Sequence, residues 1–441
     1  MKRKSLAILV ISSAVLIAAA GIILTRDFGA DTQGRKKHLF DFEVYYDAGQ
    51  SLYQQGRTDL YSADFASGRV MDYRYPPFFL IALIPLWALP AKAAAYCWFL
   101  LSLLSIIASA IILNRIQPVY KNRIAVRAIT ALAVAQYFVM VVHYGNAHLL
   151  AVFLLFAALY SFLKGKLPMA ALLMALSITI KLTPILILPY FALKKQWRLL
   201  WLTGLFLIAI NLLPSLYFGF TKNAELLKTW YRHVVTDQEF HEMNGPINLS
   251  LKGQLRRYLS EVDYNSRVDG DVNYRSINFA SLPQKTVDRI WIAIALIIYV
   301  LVLFLIWRAS RQRNTNGDRP VALELGLMIC LMLFVGPLTS KIYFIALLWP
   351  VFFLACLAFS SPSPGPRFIR SVLILVAAAN LILPLLPGSS VQRLLLVLGA
   401  DFFLNCLVMA ALAQALTSTR QAFRSTDVAR QIQSPSPTTT P

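Results

Sequence analysis

Long apolar stretches recur from one end of this chain to the other, and they restrict its fold more than any other feature. An α-helix needs about 20 mostly apolar residues to cross a bilayer. The 441-residue chain is 58% hydrophobic and only 14% charged, which leaves too little polar surface for a soluble globule. We therefore predict an all-α polytopic membrane protein with about twelve membrane helices, near residues 5–24, 93–113, 128–142, 147–163, 168–180, 184–193, 199–219, 289–307, 321–336, 342–359, 371–386 and 394–417.

The N-terminal apolar run allows two interpretations. Met1-Lys-Arg-Lys4 followed by the run from Ser5 to Leu24 could be a signal peptide. Because the run is long enough to span a bilayer, we predict an uncleaved first membrane helix within residues 1–24. At the other end, the chain from Gln431 to Pro441 is rich in Ser, Pro and Thr, and residues 418–441 are predicted to form a disordered cytoplasmic tail.

The basic residues indicate the orientation of the helices. The net charge of +21 comes from short clusters between apolar runs rather than from one stripe, so it gives no indication of nucleic-acid binding. With Lys2, Arg3 and Lys4 placed inside, alternation puts only basic short loops in the cytoplasm. Those loops are 115–127, 164–166, 194–198, 308–319 and 367–370. Both termini are therefore predicted to be cytoplasmic.

The same rule divides the chain into loops and membrane regions. Counting the apolar piece 77–89 as a span would put the basic loop 115–127 outside, so we predict a re-entrant or interfacial helix there. The predicted order after the first helix is an extracytoplasmic loop (25–92), membrane helices 2–7 (93–219), a second large extracytoplasmic loop (220–288) and membrane helices 8–12 (289–417). Lys181 and Pro184 lie where two short helices meet, as is typical of segments that line protein or a wet cavity.

Acidic residues at the start of the first outer loop are candidates for catalysis. On a helix, Asp41 and Tyr45 share one face, whereas Glu43 and Asp47 share another. A carboxylate at the membrane surface can remove a proton from an attacking sugar hydroxyl. A solvated loop acid or a helix cap is the alternative interpretation.

Cations in the outer loops are candidates for binding a lipid phosphate. They are Lys181, Arg256, Arg257 and Lys341. Lys and Arg at helix ends also reach lipid headgroups without any specific ligand. The four cysteines lie in apolar runs, and His143 and His148 are not spaced as metal ligands on one helix face. We predict no metal site and no cofactor.

Six pieces in order resemble glycosyltransferase family 87, a group of GT-C membrane glycosyltransferases. They are Asp41 to Gly56 with Leu60-Tyr61, Tyr75-Pro76-Pro77 to Pro90, Gly145-Asn146, Ile180 to Pro184 with Trp197-Arg198, Asn248 to Arg257, and Pro337 to Lys341. The resemblance implies a GT-C fold with extracytoplasmic catalytic loops, and Asp41 as the general base. The donor phosphate would be bound by Arg257, Lys181, Arg256, Lys341 and Tyr343. Further site candidates are Tyr45, Tyr75, Asn146, His148, Asn248 and Ser250.

The resemblance also implies a reaction. Such enzymes use a polyprenyl-phosphate sugar, commonly mannose, and transfer it with inversion to a lipid or glycan acceptor, here expected at the outer face of a bacterial cytoplasmic membrane. The chain departs from commoner family patterns at Asn146, His148, Gly336 and Tyr343, where Gln, Asn, Ser and His are frequent. These departures concern the identity of the donor and leave Asp41 unaffected.

Two other function classes remain open at this stage. A lipid-linked-glycan flippase or transporter should carry ionisable residues within several helices, but Glu324 and Asp401 are almost the only acids there. A ligase or polymerase that joins whole glycan chains would also work outside with arginines. Assay of single-sugar transfer distinguishes these classes.

Overall fold

The computed structural model describes residues 39–62, 73–119, 123–232, 247–261, 276–311, 318–359, 367–385 and 389–433. Every regular element in these ranges is helical, which confirms the all-α prediction. The predicted first membrane helix, near 5–24, and the last residues of the predicted tail, from 434 on, lie outside the described residues.

The chain divides into two compact units. The first unit comprises Met1–Ile112, Gln136–Ile185 and Trp197–Phe240, and the second comprises Leu113–Ala135, Leu186–Gln196 and His241–Pro441. The helices described for the first unit are α1 (Phe40–Tyr53), α2 (Pro77–Ala82), α3 (Ile84–Trp87), most of α4 (Ala91–Ile116), the end of α5 (Arg123–Tyr144), α6 (His148–Leu163), α7 (Leu167–Ile180), α9 (Trp197–Leu212), α10 (Ser215–Phe218) and α11 (Phe220–Trp230).

The second unit contains the remaining helices. They are α8 (Leu188–Leu193), α12 (Leu251–Leu259), α13 (Gln284–Arg311), α14 (Asp318–Val335), α15 (Leu348–Phe359), α16 (Arg367–Ile382), α17 (Ser389–Leu398) and α18 (Ala400–Gln433). A 3₁₀ helix, Lys341–Leu347, leads into α15.

Eleven of the twelve predicted stretches correspond to apolar helices in the described residues. Seven are long and apolar enough to cross a membrane: Ala91–Ile116, Ile124–Tyr144, Trp197–Phe218, Gln284–Arg311, Lys341–Phe359, Arg367–Leu385 and Ala400–Thr417. Four are shorter: His148–Leu163, Leu167–Ile180, Thr183–Leu193 and Pro320–Val335. The polytopic architecture is confirmed, but the count of twelve membrane helices is not.

The piece predicted to be interfacial forms no long helix. Residues 77–89 form the short helices α2 and α3, which meet at Leu83 (φ −109°, ψ 13°). Pro85 lies two residues further on, and its missing N–H and fixed φ disfavour one continuous helix. Trp87 nevertheless is fully buried, and its indole N–H donates to the carbonyl of Leu80 at 2.9 Å. This piece is therefore packed within the first unit.

The C-terminal region differs from the prediction in two respects. The stretch 394–417 is broken at Gly399, whose φ of +78° favours glycine, and a Cβ there would lie 2.0 Å from Gln254 Nε2. Helix α18 then continues to Gln433 and so includes residues 418–433, the first part of the predicted tail. The helix formers Gln421, Ala422 and Ala429 lie in that part and outweigh the Ser and Thr residues around them.

Candidate active site

The start of α1 is anchored to the turn between α5 and α6. Leu39 has a left-handed backbone (φ 54°), and its N–H donates to the carbonyl of His143 at 2.6 Å. Gly145 has φ +66°, and a Cβ at this position would lie only 3.0 Å from Phe42 Cβ. The indole N–H of Trp98 donates to the Gly145 carbonyl at 2.7 Å. These contacts set the direction in which α1, and therefore Asp41, leaves the turn.

Asp41 lies in the first turn of α1 and is half-buried. Its Oδ2 accepts a hydrogen bond of 2.6 Å from Nδ2 of Asn146, a residue 105 positions later in the chain. Asn146 Oδ1 in turn accepts the N–H of His148 at 2.9 Å. The structure thus brings together three residues that sequence analysis had selected without predicting any contact between them.

Tyr45 lies one turn after Asp41 on the buried face of α1, as the helical spacing predicted. Tyr45 and Ala48 are buried, whereas Glu43 and Asp47 are half-buried on other sides of the helix. The phenol oxygens of Tyr45 and Tyr75 are 2.8 Å apart, and Tyr45 also accepts the N–H of Ala147 at 3.4 Å. Burial raises the pKa of Tyr45 well above its usual value, and the neighbouring Tyr75 and Asp41 raise it further.

Lys181 is held close to the same tyrosines. It ends α7 with an extended backbone, and its Nζ lies 5.1 Å from the ring centre of Tyr75. A cation over an aromatic face is stabilised by the ring quadrupole. Asp41, Tyr45, Tyr75, Asn146, His148 and Lys181 therefore all belong to the first unit, where contacts link them through Tyr75 and the turn before α6.

Sequence analysis missed the aromatic side chains that support this cluster. Trp98 packs edge-on against Tyr45 at 5.6 Å, and Phe79 stacks on Tyr75 at 4.5 Å. Tyr73 is fully buried beside them, and burial raises its pKa well above the usual value. An aromatic residue in an apolar segment carries no sequence signal that separates this role from lipid contact, so only the structure identifies them.

Asn248 and Ser250 form a separate cluster in the second unit. Asn248 Nδ2 donates to the carbonyl of Pro337 at 2.9 Å, and its Oδ1 accepts the N–H groups of Ser250 and Thr339 at 3.1 and 3.2 Å. Ser250 caps α12 by accepting the N–H of Gly253 at 3.3 Å. Both side chains are fully buried, and they join the segment before α12 to the loop after α14.

The two arginines of α12 differ in their contacts. Arg256 forms a forked pair with Asp288, at 3.0 Å from Nε and 2.7 Å from Nη2. Arg257 is fully buried and donates from Nη1 to the carbonyl of Asn248 at 2.7 Å. Lys252, which sequence analysis did not select, lies 3.8 Å from Asp288, and burial lowers its pKa. Asp288 thus offsets the charge of Arg256.

The remaining phosphate candidates lie after α14. Lys341 Nζ is 3.6 Å from Asp401 Oδ2, so its charge also has a counter-charge. Tyr343 is half-buried in the 3₁₀ helix, and its N–H donates to the carbonyl of Ser340 at 2.9 Å.

The other acid inside a helix is also paired. Glu324 is buried, lies 2.7 Å from Lys194 Nζ, and accepts hydrogen bonds from Tyr190 and Ser310 at 3.0 and 2.9 Å. Both acids that a transporter interpretation would use therefore have cationic partners. Within the described residues, no three His, Cys, Asp or Glu side chains are grouped as metal ligands.

Comparison with known sequences identifies the family. Residues 73–337, more than half of the chain, match the model of Glycosyltransferase family 87. The chain belongs to glycosyltransferase family 87. It is therefore a membrane glycosyltransferase of the GT-C type, and the resemblance found in its motifs is confirmed. Tyr75, Asn146, Lys181 and Arg257 lie within the matched residues, whereas Asp41 precedes them.

Other comparisons add less to the assignment to family 87. No curated protein matches the chain. Among solved structures, the crystal structure of ArnT from Cupriavidus metallidurans in the apo state is similar at 15% identity and a TM-score of 0.38, over 92% of this chain and 78% of that one. At this score the likeness is distant.

Proposed function

We propose that this family 87 protein transfers a single sugar, with mannose as the first candidate, from a polyprenyl-phosphate donor to a lipid-linked or glycan acceptor. Asp41 is proposed as the general base. The observation that carries the proposal is the 2.6 Å contact between Asp41 and Asn146 beside the Tyr45–Tyr75 pair and Lys181. This arrangement combines a half-buried carboxylate, a fixed hydrogen-bond donor and a cation in one unit.

The proposed reaction is a single displacement. The acceptor hydroxyl oxygen attacks the anomeric carbon while its proton passes to the Asp41 carboxylate. The bond from the anomeric carbon to the phosphate oxygen breaks, and the polyprenyl phosphate leaves with the electron pair. Because the new bond forms opposite the one that breaks, the anomeric configuration inverts. A phosphate leaving group needs little protonation, so one carboxylate suffices where glycoside hydrolysis uses two.

Each unit contains one candidate residue for binding the donor phosphate. Lys181 is the candidate of the first unit, because its ammonium lies over the ring of Tyr75, whose phenol contacts Tyr45 one turn after Asp41. Arg257 is the candidate of the second unit, with Tyr343 as an additional donor. We leave out Arg256 and Lys341, because Asp288 and Asp401 already offset their charges.

Purified protein tests the proposed function directly. Radiolabelled polyprenyl-phosphate mannose is supplied together with an extracted pool of undecaprenyl-pyrophosphate oligosaccharides, and the lipid products are separated by size. We expect one labelled sugar to be added per acceptor. Transfer of whole glycan chains would instead indicate a ligase or polymerase. Movement of lipid-linked glycan between leaflets without transfer would indicate a flippase.

The proposed orientation places both termini in the cytoplasm and the site outside, in a bacterial cytoplasmic membrane. Two exposed positions test it, in a variant whose four native cysteines are replaced by alanine. In intact cells, Glu225→Cys in α11 should react with a membrane-impermeant maleimide, because the loop 220–288 is predicted to be outside. Arg311→Cys at the end of α13 should react only after the membrane is opened. The opposite labelling pattern would overturn the orientation.

A further inference from the structure

Asn146 can orient its side-chain amide in only one way that satisfies both of its neighbours. The N–H of His148 needs an acceptor, and Asn146 Oδ1 accepts it at 2.9 Å. Nδ2 must then point away from that N–H, towards Asp41 Oδ2, which it reaches at 2.6 Å. The reversed amide would place two donors together at His148 and two acceptors together at Asp41. These two hydrogen bonds thus identify the Asn146 amide as the donor to the Asp41 carboxylate.

The backbone around Asn146 holds the amide in place. Asn146 is 8% exposed, and its own N–H donates to the carbonyl of Val141 at 3.2 Å. The left-handed Gly145 before it is fixed by Trp98, and the contact between Oδ1 and His148 closes a two-residue turn at the start of α6. The donor is therefore positioned before any substrate arrives.

We infer that Asn146 is a positioning residue that orients the Asp41 carboxylate and stabilises its ionised form. A hydrogen bond to a charged acceptor is stronger than one to a neutral acceptor, so the Asn146 amide favours the carboxylate over the carboxylic acid. The N-terminal end of the 16-residue α6, which begins two residues after Asn146, adds a favourable partial positive charge. This inference rests on the proposed role of Asp41 as the base.

Replacing Asn146 with Asp tests the inference with almost no change in shape. Two carboxylates at this distance repel each other when both are ionised, so they share a proton at low pH and the pair becomes fully ionised only at higher pH. In a plot of kcat against pH, we expect the acid limb of Asn146→Asp to lie about 1 to 2 pH units higher than that of the parent protein. At the midpoint of the parent protein's acid limb, we expect kcat to fall by about tenfold, with the donor KM nearly unchanged.

All other ionisable groups are the same in the parent protein and in Asn146→Asp, so they cannot cause a shift of the acid limb between the two. In the described elements around Asp41 they are Glu43, Tyr45, Asp47, Tyr75, His143, His148 and Lys181. Asn223→Asp is the matched control, because Asn223 is a buried residue of the same unit whose Nδ2 donates to a carbonyl and a hydroxyl, each at 2.9 Å. This control should lower thermal stability without moving the acid limb.

The outcomes separate this inference from the proposed function. If Asp41→Asn abolishes transfer but Asn146→Asp leaves the acid limb in place, the inference is wrong and the proposed base is retained. If Asp41→Asn transfers sugar normally, Asp41 is not the base, and the proposed function loses this residue role before Asn146 is considered. Should Asn146→Asp not fold, Asn146→Gln and Asn146→Ala are compared at equal folded fraction. The amide-bearing Gln variant should have the higher kcat by at least about fivefold, and equal values would overturn the inference.

Discussion

Asp41→Asn is expected to lower the rate of sugar transfer by about 10²- to 10⁴-fold, because it removes the proton acceptor and keeps the shape of the side chain. The amide can still occupy the position beside Asn146, and the anchoring of α1 through Leu39 and His143 does not involve Asp41. Expression and membrane insertion should therefore be unchanged. Single-turnover transfer, measured with saturating donor and acceptor, gives the rate to compare.

Two acids of the same helix serve as controls for Asp41. Glu43 and Asp47 are half-buried. Burial raises the pKa of Tyr46, and the charge of the neighbouring Asp47 raises it further. Tyr46 itself donates to the carbonyl of Leu89 at 2.8 Å. Glu43→Gln and Asp47→Asn should each retain most of the activity. A deeper loss in either control than in Asp41→Asn would assign the base to that residue.

The helices of this protein could be predicted well because lipid imposes a simple rule. A stretch such as 289–307 must be apolar and long, so its location follows from composition alone, and the structure has α13 there. The piece 77–89 is as apolar as a membrane helix. Only the distribution of basic loops indicated that this piece is not a membrane-spanning helix. In the structure it forms the two short helices α2 and α3.

Breaks within helices were harder to predict because they depend on distant residues. Gly399 interrupts the last apolar stretch where Gln254 approaches it closely, although these residues are far apart in sequence. A single glycine in an apolar run is also compatible with a continuous helix, at a cost of about 1 kcal/mol. The pattern around Gly399 therefore could not indicate the left-handed turn.

The site residues could be selected from sequence, but their partners could not. Asp41 was selected as an acid at the start of the first outer loop and Asn146 through the resemblance to family 87, yet nothing in either segment encodes their hydrogen bond. Arg256 was selected for its charge alone, and its forked pair with Asp288 becomes apparent only in the folded chain. Long-range pairing decides which charges are available to a ligand, and local sequence does not record it.

Neutralising the proposed phosphate-binding cations should raise the donor KM by about 10- to 100-fold and change the acceptor KM much less. This estimate follows because removal of one charged hydrogen-bond partner typically costs about 1.5 to 3 kcal/mol. Lys181→Gln tests the first unit, where the ammonium lies against Tyr75, and Arg257→Gln tests the second. Initial rates over a range of donor concentrations at saturating acceptor give both constants.

The expected effects differ between the two cations because their surroundings differ. Lys181→Arg keeps the charge beside Tyr75 and should restore most of the affinity for the donor. Arg257 also supports the Asn248 carbonyl, so Arg257→Gln should additionally lower thermal stability, which must be measured on the same preparation. Arg256→Gln is its matched control: it breaks a pair that Asp288 also shares with Lys252, and it should leave the donor KM within about threefold of the parent value. An unchanged donor KM in Arg257→Gln would reject Arg257 as a phosphate ligand and leave its contact with Asn248 as its role. An unchanged donor KM in Lys181→Gln would likewise reject Lys181 as the phosphate ligand of the first unit.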